Sequence, residues 1–444
     1  MKWIVTPGCS LVDSAAAGAA GFLPGDKSIS HRAALFAALA VGESRFENFQ
    51  NSGVTRVMLT ALSSLGVAWE LTGTSLSVWG KGTHGLTTPK QPIDCGNSAT
   101  TLRLLAGALA AAGIPATLTG SAGLCRRPMD RIVQPLRAMG VSIEASPTDT
   151  CPIHLAGRNS HQRLKPIRHT LPMASAQVKT CLLLAALAAD GESILVEPHL
   201  SRDHSERMLR KMGVDVTTQG TETRLGAVSS LRLQPLRMTI PGDISAAAFL
   251  IVAGLITPGS RIALRGVGLN PTRTGILDAL VRMGAAIEIT NTADRDGEPV
   301  GDILVQYSRL RGIDVSGGLV VRMIDEFPAF AVAAAYAEGI TRVEQASELR
   351  CKESDRIARL CAGLERLGAE VMETSDGFVI QGGQRLNGGC VDSSGDHRLA
   401  MAFTIAGLAA DAPVSVTGVE AVNESFPSFS AALRTFGLQI EEVQ

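Results

Sequence analysis

Ten basic residues stand within or beside segments that read as the starts of apolar helices: Lys27, Arg32, Arg103, Arg126, Arg127, Lys179, Arg202, Lys352, Arg356 and Arg398. A guanidinium presents a planar fork of donors to a carboxylate or phosphate, and an ammonium presents a compact point charge. A set of them suits a ligand with more than one anionic group. Solvation or a surface ion pair accounts for any one of them alone; their recurrence in a repeated segment is what points to a shared site. Two acids stand among them: Asp325 opens a helix in MIDEFP, and Glu353 lies in LRCKESDR between Lys352 and Arg356. Nearby cations lower a carboxyl pKa and burial raises it, so the sequence leaves the charge state of both open. Such a pair suits a reaction that moves one proton off a hydroxyl and another onto carbon.

The elements that must position these side chains recur six times. GDKSISHRAALFAALAVGES, CGNSATTLRLLAGALAAAG, ASAQVKTCLLLAALAADGES, GDISAAAFLIVAGLITPGS, IDEFPAFAVAAAYAEGI and GDHRLAMAFTIAGLAADAP each carry a polar or acidic residue near the start and continue as a small-residue apolar helix. Taken singly, the leading Asp, Asn or Ser is an N-cap and no more. The helices are apolar nearly all round, which predicts burial beneath covering strands. Packed as two groups of three, their N-termini would direct dipole ends and free N–H groups toward a common face, an arrangement suited to a polyanion. A second signature alternates with the first: LSSLGV, LRAMGVSIE, LRKMGVDV, LVRMGAAIEI, LERLGAEV and LRTFGLQI close helices on Gly66, Gly140, Gly213, Gly284, Gly368 and Gly437. These glycines fall about 70 to 85 residues apart, and each predicts a left-handed helix end leading into a strand. The group boundaries fall near Leu23-Pro24-Gly25 and between Arg237 and Asp243. They predict one discontinuous domain of 1–24 plus 241–444 and an inserted domain of 25–240, with three repeats in each.

Bulk composition excludes several classes. The 444 residues carry 41 Lys plus Arg against 42 Asp plus Glu, so no global field favours nucleic acid or an anionic membrane surface. The eight cysteines are scattered, with no C-x-x-C pair and no spacing that suits zinc, and they read as reduced thiols without a metal. Apolar runs such as Leu104 to Ala112 and Ala246 to Ile256 are shorter than the ~20 residues of a membrane span. The N-terminus lacks a signal-peptide core, and the alanine-rich run Ala15 to Ala20 lacks the arginines of a transit peptide. A cytoplasmic protein is the expectation. GFLPGDKS is not a P-loop, because Asp26 separates Gly25 from Lys27.

The strings PGDKSISHR, GNSATTLR, CRRPMDR, MASAQVK, SRDHSERML, NPTRTG, MIDEFP, LRCKESDR, GDHRLAMAF and SFPSF occur in this order, and together they resemble the EPSP synthase (3-phosphoshikimate 1-carboxyvinyltransferase) family along nearly the whole chain. MASAQVK and SRDHSERML are similar to its class II branch, which includes glyphosate-tolerant enzymes. The resemblance implies an α/β protein of the inverse α/β, two-domain enolpyruvyl transferase fold, with six βαβαββ-type units and an active site in the interdomain cleft. It implies transfer of the enolpyruvyl group of phosphoenolpyruvate to the 5-hydroxyl of shikimate 3-phosphate, with no cofactor, no metal, no nucleic-acid or membrane partner, and a monomer. For shikimate 3-phosphate it implies Lys27, Ser28, Arg32, Ser175, Ala176, Gln177, Arg202, Asp325 and Lys352. For phosphoenolpyruvate it implies Lys27, Ala99, Arg127, Gln177, Arg356 and Arg398. Asp325 matches the acceptor of the hydroxyl proton, Glu353 the acid that protonates the methylene carbon, and Lys27 a contact to both substrates.

Departures from the family pattern carry expectations too. Ala99 stands where glyphosate-sensitive relatives have Gly, so its methyl group should crowd an inhibitor longer than phosphoenolpyruvate. Glu424 stands in place of a lysine found in many relatives, and Asn51 to Thr55 lacks an acid that many have. Two alternatives share the fold. A UDP-N-acetylglucosamine enolpyruvyl transferase would have Lys-Asn at Lys27-Ser28 and a reactive cysteine at Ala122, and Cys125 is out of register for that role. A non-catalytic binding protein would keep the cleft without turnover.

Overall fold

The computed structural model describes residues 1–12, 22–159, 162–228 and 232–443, so the run Ala15 to Ala20 lies outside the described residues. The chain divides into two compact units, one of residues 1–26, 241–294 and 299–444, the other of residues 27–240 and 295–298. The first crossing lies after Asp26, two residues beyond the position read from the sequence. Gly25 bridges Gly242, and the Asp26 amide donates to the Pro241 carbonyl at 2.8 Å, which holds both residues in the first unit.

One sheet topology recurs. In the second unit, strand Ile93–Asp94 pairs in parallel with Ala116–Thr119, whose other edge pairs antiparallel with Ile153–Leu155, followed by Ile143–Glu144. Numbered along the repeat, the strand order is first, second, fourth, third. Arg168–Thr170, Ser193–Val196, Glu222–Leu225 and Val216–Gln219 repeat it. So does the sheet of Val41–Glu47, Ser75–Lys81 and Ala68–Thr72, whose parallel first strand is Arg237–Thr239 from the far end of the inserted segment. In the first unit, Asp314–Val315, Gly339–Val343, Phe378–Gly382 and Glu370–Glu373 follow the same order. A further sheet takes Lys2–Val5 as its fourth strand, between Val414–Thr417 and Ile440–Val443. The chain's first strand thus completes its last repeat. The remaining sheet, Arg261–Gly268, Glu298–Gln306 and Ala286–Arg295, has no regular first strand among the described residues; parallel bridges from Val12 to Arg261 and from Gly242 to Val267 lie along that edge.

Beneath the sheets run the six helices read from the first signature: Lys27–Leu39, Ala99–Ala112, Ala176–Ala186, Ile244–Ile256, Phe327–Tyr336 and His397–Ala406. All thirteen residues of Ile244–Ile256 and all ten of His397–Ala406 are buried, as helices apolar on every side require. Small residues let them approach closely. A Cβ added at Gly107 would meet the Cys181 carbonyl oxygen of the neighbouring helix at 2.2 Å. The helices of the second signature are amphipathic and close on Gly66, Gly140, Gly213, Gly284, Gly368 and Gly437, with φ between +78° and +92°. That left-handed turn is open to glycine without the penalty a Cβ brings.

Two readings need correction. Cys125 and Cys151 form a disulfide with Cα atoms 4.8 Å apart, so the cysteines are not all reduced thiols. Their 26-residue separation matches no short-range cysteine pattern, and the fold alone brings the turn at Leu124–Arg126 beside the start of strand Ile153–Leu155. Asp325 does not open its helix. Glu326 holds the N-cap position of Phe327–Tyr336 and makes no capping bond, while Asp325 faces the cations described below. Among the described residues no helix is long and apolar enough to cross a membrane.

Candidate active site

In the second unit the N-termini of three buried helices meet. Ser98 and Ser175 cap two of them, accepting from the Thr101 amide at 3.1 Å and the Val178 amide at 3.4 Å. His31 in the first helix reaches Ser98 at 3.3 Å, and Gln177 in the third donates to Thr100 in the second at 2.8 Å. Burial drives the His31 pKa down to about 4, with Lys27 and Arg32 nearby adding to the effect, so the imidazole sits neutral between helix ends. Ala99 is the first residue of its helix and is buried, so its methyl group lies at the convergence of these N-termini.

The cations divide by what holds them. Arg32 is buried and donates to Ser205 Oγ at 2.7 Å, Thr180 Oγ1 at 2.8 Å, the Ser28 carbonyl at 2.9 Å and the Ala176 carbonyl at 3.2 Å. It therefore ties together the segments that carry Ser28 and Ser175-Ala176-Gln177. Arg202 donates to Ser28 Oγ at 2.9 Å, and Arg103 donates to Gln177 Oε1 at 2.7 Å, which orients the amide. Lys27 is half-buried at the head of its helix. Of the Arg126-Arg127 pair, Arg126 is exposed and Arg127 buried, which singles out Arg127. Lys179 belongs to the framework: it is buried between Glu197 at 2.8 Å and Glu206 at 2.7 Å and donates to the Ser201 carbonyl at 3.3 Å. Burial would lower its pKa, but the two carboxylates outweigh burial and raise it.

The first unit gathers the remaining candidates. Asp325 lies 3.6 Å from Arg356, 3.7 Å from Lys352 and 3.8 Å from Arg398. Glu353 accepts a hydrogen bond from the same Arg356 guanidinium. Arg356 is buried, and its Nε donates to Asp396 at 2.8 Å. Burial would weaken its charge; Asp396, Glu353 and Asp325 more than compensate and raise its pKa. Asp396 caps the His397–Ala406 helix by accepting from the Arg398 amide at 2.9 Å. Burial would raise its carboxyl pKa, and Arg356 outweighs burial and holds it below the ordinary range. Asp325, Lys352 and Glu353 stay partly open, at 14%, 19% and 18% side-chain exposure, so a small anion can reach them.

Sequence reasoning missed two anchors. Asp396 is the second residue of GDHRLAMAF, and its N-cap position was the available signal. Arg273, in NPTRTG, is buried and donates to Asp26 at 2.8 Å, Ser245 at 2.7 Å and Asp243 at 3.2 Å. It lies 3.8 Å from Glu326, which itself accepts from Ser245. Arg273 so joins the starts of two buried helices of the first unit to Asp26, and only the string NPTRTG hinted at it.

Two units of repeated α/β modules, each gathering buried helix N-termini with Arg, Lys and carboxylate side chains, define the inverse α/β, two-domain architecture of the enolpyruvyl transferases. The EPSP synthase (3-phosphoshikimate 1-carboxyvinyltransferase) family model matches residues 22–433. The chain is 47% identical over 412 residues to the 3-phosphoshikimate 1-carboxyvinyltransferase of Geobacter sulfurreducens, covering 93% of this chain and 95% of that one. It is 49% identical over 413 residues to the enzyme of that name from Roseiflexus sp., covering 93% and 95%. The solved EPSP synthase from Acinetobacter baumannii superposes with a TM-score of 0.86 at 40% identity, covering 100% of both chains. The chain belongs to the EPSP synthase family.

Proposed function

We propose that the protein transfers the enolpyruvyl group of phosphoenolpyruvate to the 5-hydroxyl of shikimate 3-phosphate and releases phosphate, as a cytoplasmic step of the shikimate pathway toward the aromatic amino acids. Beyond family membership, the observation that carries this reading is Asp325 lying among Lys352, Arg356 and Arg398 with Glu353 on the same guanidinium. Both substrates bear a phosphate and a carboxylate, and Arg356 and Arg398 suit those groups. In the ligand-free arrangement the same cations lie against Asp325 and Glu353. An anion that engages Arg356 competes with both carboxylates for that guanidinium.

The steps follow. The 5-hydroxyl oxygen bonds to C2 of phosphoenolpyruvate while Asp325 accepts its proton. Glu353, having taken up a proton, delivers it to C3, and the methylene becomes a methyl group in a tetrahedral intermediate. The C2–O bond to phosphate then breaks and phosphate leaves, C3 returns a proton to Glu353, and the C2–C3 double bond is restored in the new enol ether. Lys352 beside Asp325 offsets charge as the proton moves. In the second unit, Lys27, Ser28, Ser175, Ala176, Gln177 and Arg202 serve shikimate 3-phosphate. Lys27, Ala99, Arg127 and Gln177 serve phosphoenolpyruvate. Arg32 acts as a positioning residue through its bonds to Ser28 and Ala176. The test is phosphate release from phosphoenolpyruvate with shikimate 3-phosphate, with UDP-N-acetylglucosamine, and with no acceptor. Release with shikimate 3-phosphate alone supports the assignment; release with the sugar nucleotide alone, or none with either, refutes it.

A further inference from the structure

The chain has two tyrosines, and both line one cavity of about 600 Å³ in the first unit. The cavity lies at the C-terminal ends of buried helices whose opposite ends lead to Asp325 and Arg398. Helix Ile244–Ile256 contributes its last residue, helix Phe327–Tyr336 contributes Tyr336, and the turn Gly407–Ala409 that follows helix His397–Ala406 contributes Leu408 and Ala409. With a rise of ~1.5 Å per residue, helices of this length put the cavity roughly 15 to 20 Å from the helix starts. Its lining belongs to no substrate position assigned above.

Three properties define what would fit. First, the lining joins apolar surface from Ile256, Leu310 and Leu408 to the rings of Tyr307 and Tyr336, a surface for a flat apolar body. The Tyr336 hydroxyl donates to the Ala406 carbonyl at 2.6 Å, and burial raises its pKa, so the ring is fixed as a neutral wall. Second, the helix C-termini bring partial negative charge, and Glu338 adds a full one; Glu338 is exposed and has no ion-pair partner among the described residues. Third, Arg309 is exposed and likewise has no ion-pair partner among the described residues, while Arg385 is held by Asp411 at 3.5 Å. Glu338 bridges Arg311, two residues from Arg309, so the free carboxylate and the free guanidinium belong to adjacent backbone.

We propose that this cavity is a second ligand site, separate from the substrate site, for a zwitterionic α-amino acid with an aromatic side chain. The carboxylate binds Arg309, the ammonium binds Glu338 and the helix C-termini, and the ring lies against Tyr307, Tyr336 and the apolar floor. Both charged groups and the ring are needed, which separates this site from a general apolar pocket.

The test is calorimetric titration of the full chain with L-phenylalanine, beside 3-phenylpropanoate, which lacks the ammonium, 2-phenylethylamine, which lacks the carboxylate, and L-alanine, which lacks the ring. The proposal expects saturable one-site binding of L-phenylalanine, weakened about tenfold or more by loss of either charged group, the size of one charge-assisted hydrogen bond. Arg309→Ala and Glu338→Gln should each weaken L-phenylalanine similarly, while the KM values for both substrates stay as in the parent, which checks that the variants are folded. Arg309→Ala should leave 2-phenylethylamine unaffected. No saturable binding, binding indifferent to both substitutions, or displacement of L-phenylalanine by phosphoenolpyruvate would overturn the proposal. Because the readout is binding, it stands or falls independently of the proposed reaction.

Discussion

Replacing Lys179 with methionine isolates what a buried charge network does for the site. The side chain is about 1% exposed, and its ammonium lies 2.8 Å from Glu197 and 2.7 Å from Glu206, which are also buried. Methionine fills the volume but leaves two carboxylates facing each other out of water, and removing one partner of such a set costs about 3–5 kcal/mol. For a unit of this size that lowers the thermal transition by roughly 6–20 °C. The sign with pH follows from the carboxylates left behind. Burial and mutual repulsion raise their folded-state pKa values in the variant, so the folded state binds more protons than the unfolded one, and the deficit shrinks as pH falls. The parent behaves differently at alkaline pH: the raised Lys179 pKa gives stability that is fully present below its unfolded value near ~10.4 and lost as pH rises through the folded value. The substitution should reach function too, since Lys179 holds the Ser201 carbonyl and the next residue, Arg202, binds Ser28. Loosening that turn should raise the KM for shikimate 3-phosphate more than it lowers kcat. Calorimetric melting from pH 8 to pH 5, with Glu197→Gln and Glu206→Gln added to the variant, measures the effect. A single Lys179→Met variant as stable as the parent, or one no better at pH 5 than at pH 8, would refute the network argument.

Other outcomes follow from the same geometry. Asp325→Asn keeps shape and loses the proton acceptor, so kcat should fall by about 10²–10⁴-fold with both substrates still bound, as measured by steady-state kinetics and calorimetry; full turnover would remove its assigned role. Ala99→Gly removes a buried methyl group at a helix start and should strengthen inhibition by glyphosate, and unchanged inhibition would count against the steric account. His31 has its pKa lowered to about 4, so the unfolded chain takes up its proton first as pH falls, and stability declines from pH ~6.5 toward that value. His31→Gln should flatten that part of the melting-temperature profile, and an unchanged slope would assign it to other groups.

How much of this was legible depended on how local each cause is. The six buried helices follow from runs such as Ile244–Ile256, apolar on every side, and their closing glycines follow from the left-handed turn that any helix-to-strand corner of this kind requires. Ser98, Ser175, Asp243 and Asp396 cap helices because capping is settled within three residues of sequence. What escaped was whatever depends on residues distant in the chain. Arg273 meets Asp26 across 247 positions, and Lys2–Val5 completes a sheet with strands more than 400 residues away. Lys179 looked like a candidate for substrate because its partners Glu197 and Glu206 lie beyond the helix that carries it. Asp325 was misread as a helix opener because MIDEFP offers two adjacent acids, and the backbone gave the N-cap position to the second. The Cys125–Cys151 bond joins positions that no spacing rule connects. The substrate names came from the resemblance; spacing alone reached only a polyanion and a proton transfer.

The most direct measurement is the product formed from phosphoenolpyruvate and shikimate 3-phosphate in deuterium oxide, followed by NMR and mass spectrometry. Addition and elimination at Asp325 and Glu353 pass the methylene carbon through a methyl group, so the account predicts an enol ether at the 5-oxygen with deuterium in its methylene. An unlabelled methylene, or phosphate released without a new bond at the 5-oxygen, would contradict it.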